Sequence, residues 1–422
     1  MLTLLVVGNM IGSGIFLLPA SLASYGSISL IAGLITAFGA IMLALVFAKL
    51  STLIPKSGGP YIYASVGFGE FIGFQSVYSY WIALWLGCVA IVMVLTGYLQ
   101  SLFPDFMSPT LMCLISMAMV WLVTFMNILG VRIAGIVQVT TTVLKLFPLI
   151  MLLIIGWFYF HPDYLLSHFN TSQQTDLKAL SHAGVLILWA FIGLESATVV
   201  FAISKDPRRN VPRATIMGTL IVAVIYLMVS FVLMGMISND RLLHSTSPFV
   251  LAAQMVFGHW GGWLVAIFAM ISCIGTLNGW TLLYSQLTLA AADNKLFPSV
   301  FGIRNRHDVP ALGMVLTATL ISVTLILTLS TDLIHEFDFI IVVATLASLM
   351  PYVYSCLTEL LLLRELPGLP NKDRRIHSYI ALFGLIFAWW SIFGAGQETI
   401  IYMLIFLITS LPLYIFQRLT KR

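Results

Sequence analysis

The stretch GNMIGSGIF at residues 8–16 interrupts an otherwise apolar run near the start of the chain, and WAFIGLESA at residues 189–197 interrupts another. In each, an Ile-Gly step is followed by small or polar residues. Glycine disfavours helix, and a helix break inside a bilayer leaves backbone groups without water to bond. Such a break is tolerated where it lines a cavity or binds a ligand. The alternative is that these glycines only permit close packing of helices.

The composition places both stretches in a membrane protein. Of the 422 residues, 60% are hydrophobic and only 9% are charged, whereas soluble domains have about a quarter of their residues charged. Apolar runs of about 20 residues recur from end to end, each long enough to cross a bilayer. They predict an all-α membrane protein whose twelve spans are 2–24, 28–53, 70–100, 109–129, 134–160, 182–203, 212–236, 247–290, 311–329, 337–363, 376–394 and 398–415.

The positions of the basic residues support this count. With both termini in the cytoplasm, seventeen of the twenty Lys and Arg residues fall on the inside. Lys178 and Arg241 fall outside, and Lys145 lies within a span. This asymmetry is typical of cytoplasmic loops. The breaks then lie in the first and sixth spans, as an inverted five-helix repeat produces. We expect one transmembrane domain, 1–422, with repeats at 1–160 and 182–363 and two extra helices at 376–415.

Glu195 is the only acidic residue that we expect within the hydrocarbon. An ionisable group at that depth indicates a function by default, because burying it is costly. Glu195 could hydrogen-bond to the broken first span or change protonation during a cycle. The alternative is a protonated glutamate that only ties two helices together.

Lys145 is the only basic residue deep in a span. It lies about 16 Å along a helix from one end of its run, so it must find acceptors or lose its proton. The unwound first span would offer bare carbonyl groups. The alternative is that the side chain snorkels to the membrane surface.

Motifs for other chemistries are absent from the sequence. It has no phosphate-binding loop, zinc-protease helix or nucleophile elbow. The four cysteines lie in apolar runs without metal-ligand spacing. We therefore expect no enzyme, no cofactor and no metal site.

Four motifs carry a family resemblance. Residues 8–19, GNMIGSGIFLLP, resemble the first-helix signature of the amino acid–polyamine–organocation (APC) transporters. The segments 57–64, 188–197 and 206–212 resemble the loop after their second helix, their sixth helix and the link that follows it. The resemblance runs the whole length and is closest to the basic amino acid/polyamine antiporters, such as the arginine/agmatine antiporter. It implies a LeuT-like 5+5 inverted repeat with broken helices 1 and 6.

The resemblance also implies site residues. Backbone N–H groups in the first break would face a substrate carboxylate, since helix N-termini favour anions; these belong to Ile11, Ser13 and Gly14. Carbonyls in the second break would receive the α-ammonium; these belong to Trp189, Ala190 and Ile192. The remaining candidates are Tyr80, Ala83, Cys88, Trp280 and Ala344 in the substrate site, Tyr61, Trp189, Trp280 and Tyr352 as gates, and Glu195 and Lys145 in proton coupling.

The sequence departs from the arginine/agmatine antiporter in its pocket. Cys88 stands where that antiporter has an asparagine, and Ala190 and Ala344 stand in place of serines. Lys145 replaces a small apolar residue, and in this respect the chain resembles proton-coupled or sodium-independent relatives. The pocket is therefore less polar, which argues against a guanidinium substrate.

The resulting expectation is a secondary active amino acid transporter that works by alternating access, as an amino acid/amine (arginine/agmatine-like) antiporter of the cell inner (plasma) membrane. The alternatives are a proton-coupled symporter of neutral amino acids and, more remotely, a membrane sensor that does not transport. The expected partners are an amino acid or amine substrate and the lipid bilayer, without nucleic acid. A homodimer is left open.

Overall fold

A computed structural model describes residues 2–166, 169–328, 332–365 and 370–420. The end of the predicted ninth span at residue 329 and the basic residues Lys421 and Arg422 lie outside this part. The α-helices are α1 Leu2–Met10, α2 Ser13–Ala23, α3 Ile28–Leu53, α4 Pro60–Phe68, α5 Glu70–Leu102, α6 Pro109–Ile128, α7 Val131–Gly156, α8 Pro162–Leu166, α9 Asp176–Trp189, α10 Ser196–Val199, α11 Pro207–Met236, α12 Asn239–Leu243, α13 Pro248–Asp293, α14 Ala311–Leu327, α15 Leu333–Glu365, α16 Asn371–Gly394 and α17 Gln397–Thr420.

Ten helical segments of the described chain are long and apolar enough to cross a membrane, with α1 and α2 counted together. This establishes a multi-pass, all-helical membrane protein. Two of the twelve predicted spans are not among the ten. Helix α14, Ala311–Leu327, is apolar but shorter. The sixth predicted span is divided between α9 and α10, so neither piece reaches the required length.

Two local features differ from the simple span pattern. The segment after the second span contains a helix, α4, which begins at Pro60 and has its first five residues buried. The eighth apolar run is not one straight helix, because Gly258 within α13 has a φ of 68°. This kink separates a short first section from a long second one.

Helix α5 forms the centre of the bundle. It packs against α13 and α15, and 89% of its apolar window is buried, against 17% for α17 at the periphery. The exposed side chains of α17 are largely Ile, Leu and Phe, as expected for a surface that faces lipid. The two interrupted helices contact this central region, with α2 packed against both α5 and α9.

Candidate functional site

The first break lies between α1 and α2. Helix α1 ends at Met10 and α2 begins at Ser13, so Ile11 and Gly12 connect them. Gly12 has a φ of −150° and a ψ of −130°. A β-carbon added to it would lie 2.5 Å from Cγ2 of Thr276 on α13. Residue 12 must therefore be glycine, because α13 lies too close to leave room for a side chain.

Lys145 reaches this break from α7. Its side chain is fully buried, and its Nζ donates to the carbonyl oxygens of Gly8 at 2.9 Å and Ile11 at 2.6 Å. Nζ also lies 2.9 Å from Oγ1 of Thr276, which contacts the same two carbonyls. The lysine does not snorkel, because its ammonium group ends among the carbonyls that the break leaves without helical donors.

The other carbonyls at the end of α1 also have side-chain donors. Nε1 of Trp280 donates to the carbonyl of Asn9 at 2.9 Å, and the hydroxyl of Tyr226 donates to that of Met10 at 2.9 Å. The four carbonyls from Gly8 to Ile11 are thus bonded by side chains of α7, α11 and α13. Buried backbone groups need such partners in an environment without water.

The second break is built differently. Between Trp189 and Ser196 the backbone makes successive turns, with the N–H of Ile192 donating to the carbonyl of Trp189 at 3.1 Å and that of Leu194 to Phe191 at 3.2 Å. Gly193 has a φ of 106°, a conformation that residues with a β-carbon rarely adopt. The backbone of this break is therefore largely bonded to itself.

Glu195 is buried at the start of α10, and two tyrosines bind its carboxylate. The hydroxyl of Tyr352 on α15 donates to Oε2 at 2.5 Å, and that of Tyr80 on α5 donates to Oε1. Among the described residues, Glu195 makes no side-chain hydrogen bond to α1. Instead, Nδ2 of Asn9 donates to Oγ of Ser196 at 2.9 Å and joins the two breaks.

The two breaks also touch through their backbones. A β-carbon added to Gly14 would lie 3.3 Å from Cα of Ala190, so the start of α2 meets the end of α9. Ser13 and Gly14 lie in the first turn of α2, where helix N–H groups have no helical acceptor. Ile11 differs from the expectation, because its N–H donates to the carbonyl of Val7 at 2.8 Å.

The remaining candidates surround this meeting point. Trp189 and Trp280 have ring centroids 5.1 Å apart, and both rings contact α5 at Gly87. Tyr61 lies on α4 and accepts a 3.0 Å hydrogen bond from Asn294 at the end of α13. Three further candidates are fully buried, two on α5 and one on α15: Ala83, Cys88 and Ala344.

Two further acidic residues lie in a helix that is long and apolar enough to cross a membrane. Asp338 and Glu359 both lie within α15. Oδ1 of Asp338 accepts a 2.5 Å hydrogen bond from Ser21 of α2. Glu359 is fully buried, 3.3 Å from Nδ1 of His377 on α16. Their apolar neighbours extended the predicted span past both residues, but each is near an end of the helix and has a polar partner.

Three side chains at the first break were missed by sequence reasoning. Thr276 and Tyr226 lie in apolar runs, as many structural Thr and Tyr residues do. Asn9 was quoted within its motif but given no role. Of the three, only Asn9 could have been identified from the sequence, because a buried amide side chain beside a helix break requires hydrogen-bond partners. Across the described residues, no group of three or more His, Cys, Asp or Glu side chains could hold a metal ion.

The geometry is matched by clear sequence relationships. The amino acid permease family matches residues 1–413. The chain is 33% identical over 401 residues to the putrescine transporter PotE of Escherichia coli, covering 95% of this chain and 91% of that protein. It is 34% identical over 397 residues to the cadaverine/lysine antiporter of the same organism, covering 93% and 88%. The putrescine transporter PotE of Haemophilus influenzae is 32% identical over 401 residues, covering 95% and 92%.

These matches extend over nearly the full length of the chain, and the family match includes both breaks. The matched proteins are transporters and not enzymes. The chain belongs to the amino acid permease family, within the APC superfamily.

Proposed function

We propose that the chain is a secondary carrier that exchanges an amino acid for its decarboxylated amine by alternating access. The relatives support the substrate class, because one is a putrescine transporter and another a cadaverine/lysine antiporter. The observation that carries the proposal is the meeting of the two breaks, where Gly14 at the start of α2 lies against Ala190 after α9.

The proposed membrane arrangement has twelve spans in a 5+5 inverted repeat followed by two helices. The ten long apolar segments, the shorter α14 and the divided α9–α10 segment together make twelve. Inverted repeats place discontinuous helices at equivalent positions of the two halves, with the substrate between them near the bilayer midplane. The basic residues favour both termini in the cytoplasm, with the protein in the inner membrane.

The two ends of the substrate backbone bind at opposite helix termini in this proposal. N–H groups at Ser13 and Gly14 receive the carboxylate, because a helix N-terminus carries a partial positive charge. Carbonyls at Trp189, Ala190 and Ile192 receive the α-ammonium. Ile11 joins the carboxylate site only in a conformation in which its bond to Val7 has opened.

The amine end lies between the aromatic pair and small side chains. Trp189 and Trp280 offer ring faces suited to a cation and to its methylene groups. Ala83, Cys88 and Ala344 enclose the rest of the pocket with apolar surface. This arrangement suits an ammonium on a short alkyl chain better than a guanidinium, which would need several hydrogen-bond acceptors.

Gating and coupling are assigned to the polar groups beside the breaks. Tyr80 and Tyr352 clamp Glu195 and close the path toward the cytoplasm, with Tyr61 further along it. Glu195 takes up and releases a proton as the clamp opens and closes. Lys145 supplies an ammonium group to the carbonyls of the first break and is the second candidate for proton coupling.

The experiment is substrate counterflow in proteoliposomes. Vesicles loaded with putrescine or cadaverine should take up labelled ornithine or lysine. Trp189→Leu and Trp280→Ala should each abolish this uptake. Trp260→Leu is the matched control, because Trp260 is 88% exposed and should keep wild-type exchange.

Retained exchange in both pocket variants would disprove the site assignment. Empty vesicles with an imposed proton gradient separate the two transport classes. An exchanger is inactive without internal amine, whereas a proton symporter accumulates neutral amino acids. Uptake into empty vesicles would therefore replace the exchange proposal with the symporter.

A further inference from the structure

A large cavity lies beside the first break. Its volume is about 1010 Å³, and its wall includes parts of α1, α7, α11 and α13. Arg132 and Arg213 lie among its lining residues, and so does Gln138 of α7. Gln138 is almost fully buried, so it separates the cavity from the interior of the bundle.

Gln138 belongs to a continuous chain of buried amides. Its Nε2 donates to Oδ1 of Asn9 at 3.1 Å, and its Oε1 accepts from Nδ2 of Asn278 at 3.4 Å. Oδ1 of Asn278 accepts in turn from Nδ2 of Asn127 at 2.9 Å. At the other end, Asn9 donates to Ser196. The chain therefore crosses from α6 through α13, α7 and α1 to α10.

Glycines allow these amides to meet. A β-carbon on Gly279 would overlap Oδ1 of Asn9 and lie 2.7 Å from Oε1 of Gln138. A β-carbon on Gly8 would lie 2.5 Å from Nε2 of Gln138. Either side chain would separate the polar groups, so the close approach of α1, α7 and α13 depends on glycine at both positions.

We propose that Gln138 and Asn278 are positioning residues that latch α1 to the helices behind it and seal the cavity from the two breaks. The inference rests on the proposed alternating access, in which α1 must move when the substrate passes. Asn9 connects the latch to the site, because its carbonyl accepts from Trp280 while its side chain accepts from Gln138. Breaking these hydrogen bonds therefore frees the gate residue Trp280 and opens the wall of the cavity at the same time.

The latch consists only of neutral groups, which makes it reversible. Each amide exchanges a protein partner for water when the cavity opens, so no isolated charge is left buried. Loss of one link should favour the open form by roughly twofold to tenfold, the range that one neutral hydrogen bond contributes. Loss of a second link in the same chain should add little, because contacting residues are not additive.

The test measures access to Thr142, which is fully buried one turn beyond Gln138 on α7. In a Cys113→Ala background, a membrane-impermeant maleimide is applied to inverted vesicles without substrate, and the labelling rate of Thr142→Cys is followed. The background without that cysteine gives the blank. Val139→Cys, on the cavity wall, is the positive control and should react at the same rate with or without the latch variants.

Asn278→Leu and Gln138→Leu should each speed labelling of Thr142→Cys by roughly twofold to tenfold, and the double variant should resemble either single variant. The matched control is Ser285→Ala, because Ser285 is buried on the same helix as Asn278 and its hydroxyl donates to the carbonyl of Leu282 within that helix. Asn127→Ala is the milder variant if Asn278→Leu does not fold, since the side chain of Asn127 joins the latch through Asn278, donates otherwise to Val123 on its own helix, and is not among the lining residues of the cavity.

Unchanged labelling in Gln138→Leu and Asn127→Ala, or equal acceleration by Ser285→Ala, would overturn the latch. Multiplying effects in the double variant would also overturn it, because they would indicate two independent contacts. Access is measured without transport, so a failed latch and a failed exchange activity are separate results.

Discussion

Both breaks leave backbone groups without their helical hydrogen-bond partners, and the two breaks provide new partners in different ways. The carbonyls at the end of α1 are bonded by Lys145, Trp280 and Tyr226, which come from three other helices. The break after α9 bonds to itself through turns and bends at Gly193. The first break therefore depends on its neighbours, while the second depends on its own backbone geometry. Movement of α1 must change interhelical contacts, whereas the second break can act as a hinge.

The largest effect should follow loss of the donor that bonds two carbonyls at once. Lys145→Met keeps an unbranched side chain that is one atom shorter, but it leaves Gly8 and Ile11 with Thr276 alone, which has one proton to donate. We expect stability to fall by about 2–3 kcal/mol, measured as a lower thermal midpoint by tryptophan fluorescence in detergent. Lys178→Met is the control, because Lys178 is exposed. An unchanged midpoint in Lys145→Met would show that the first break does not need this donor.

Much of this contrast could be anticipated from the sequence, but not all of it. Long apolar runs predicted the ten helical segments that are long enough to cross a membrane, and the isolated charge at Lys145 indicated a buried acceptor. The partners Tyr226 and Thr276 could not be identified, because they reach the break from helices far along the chain and their own runs look ordinary. The helix α4 and the kink at Gly258 were missed as well. Both depend on local backbone conformation within segments that hydropathy alone does not resolve.

The second break should be sensitive to its backbone. Gly193→Ala places a β-carbon at a φ of 106°, which should cost about 1–2 kcal/mol for an L-residue. Gly14→Ala is a matched comparison, since each added β-carbon would have its nearest neighbours at 3.3 Å, but Gly14 is in a regular helix. The thermal midpoint should fall further for Gly193→Ala. If the thermal midpoint falls equally in the two variants, the loss comes from crowding around the added β-carbon. The second break would then not depend on the backbone conformation of Gly193.

A single hydroxyl at the first break should have a smaller effect. Tyr226→Phe removes the donor to the carbonyl of Met10, and we expect a loss of about 1 kcal/mol. Tyr98→Phe removes a hydroxyl with the same 2.9 Å geometry, but its acceptor is the carbonyl of Phe16 within α2. That carbonyl keeps its helical partner, so Tyr98→Phe should cost less. The opposite order of thermal midpoints would contradict the dependence of the first break on side-chain donors.

The smallest effect on stability is expected at the second break, from Glu195→Gln. The amide keeps one acceptor for a tyrosine hydroxyl and offers a donor to the other tyrosine. The free energy of unfolding should therefore change by less than about 0.5 kcal/mol. Exchange should continue but lose its dependence on pH, because glutamine cannot take up and release a proton. Counterflow rates across a pH series, compared with wild type and with Lys178→Met, measure this. A pH profile identical to wild type would assign proton coupling to another group, and Lys145 at the first break would be the next residue to test.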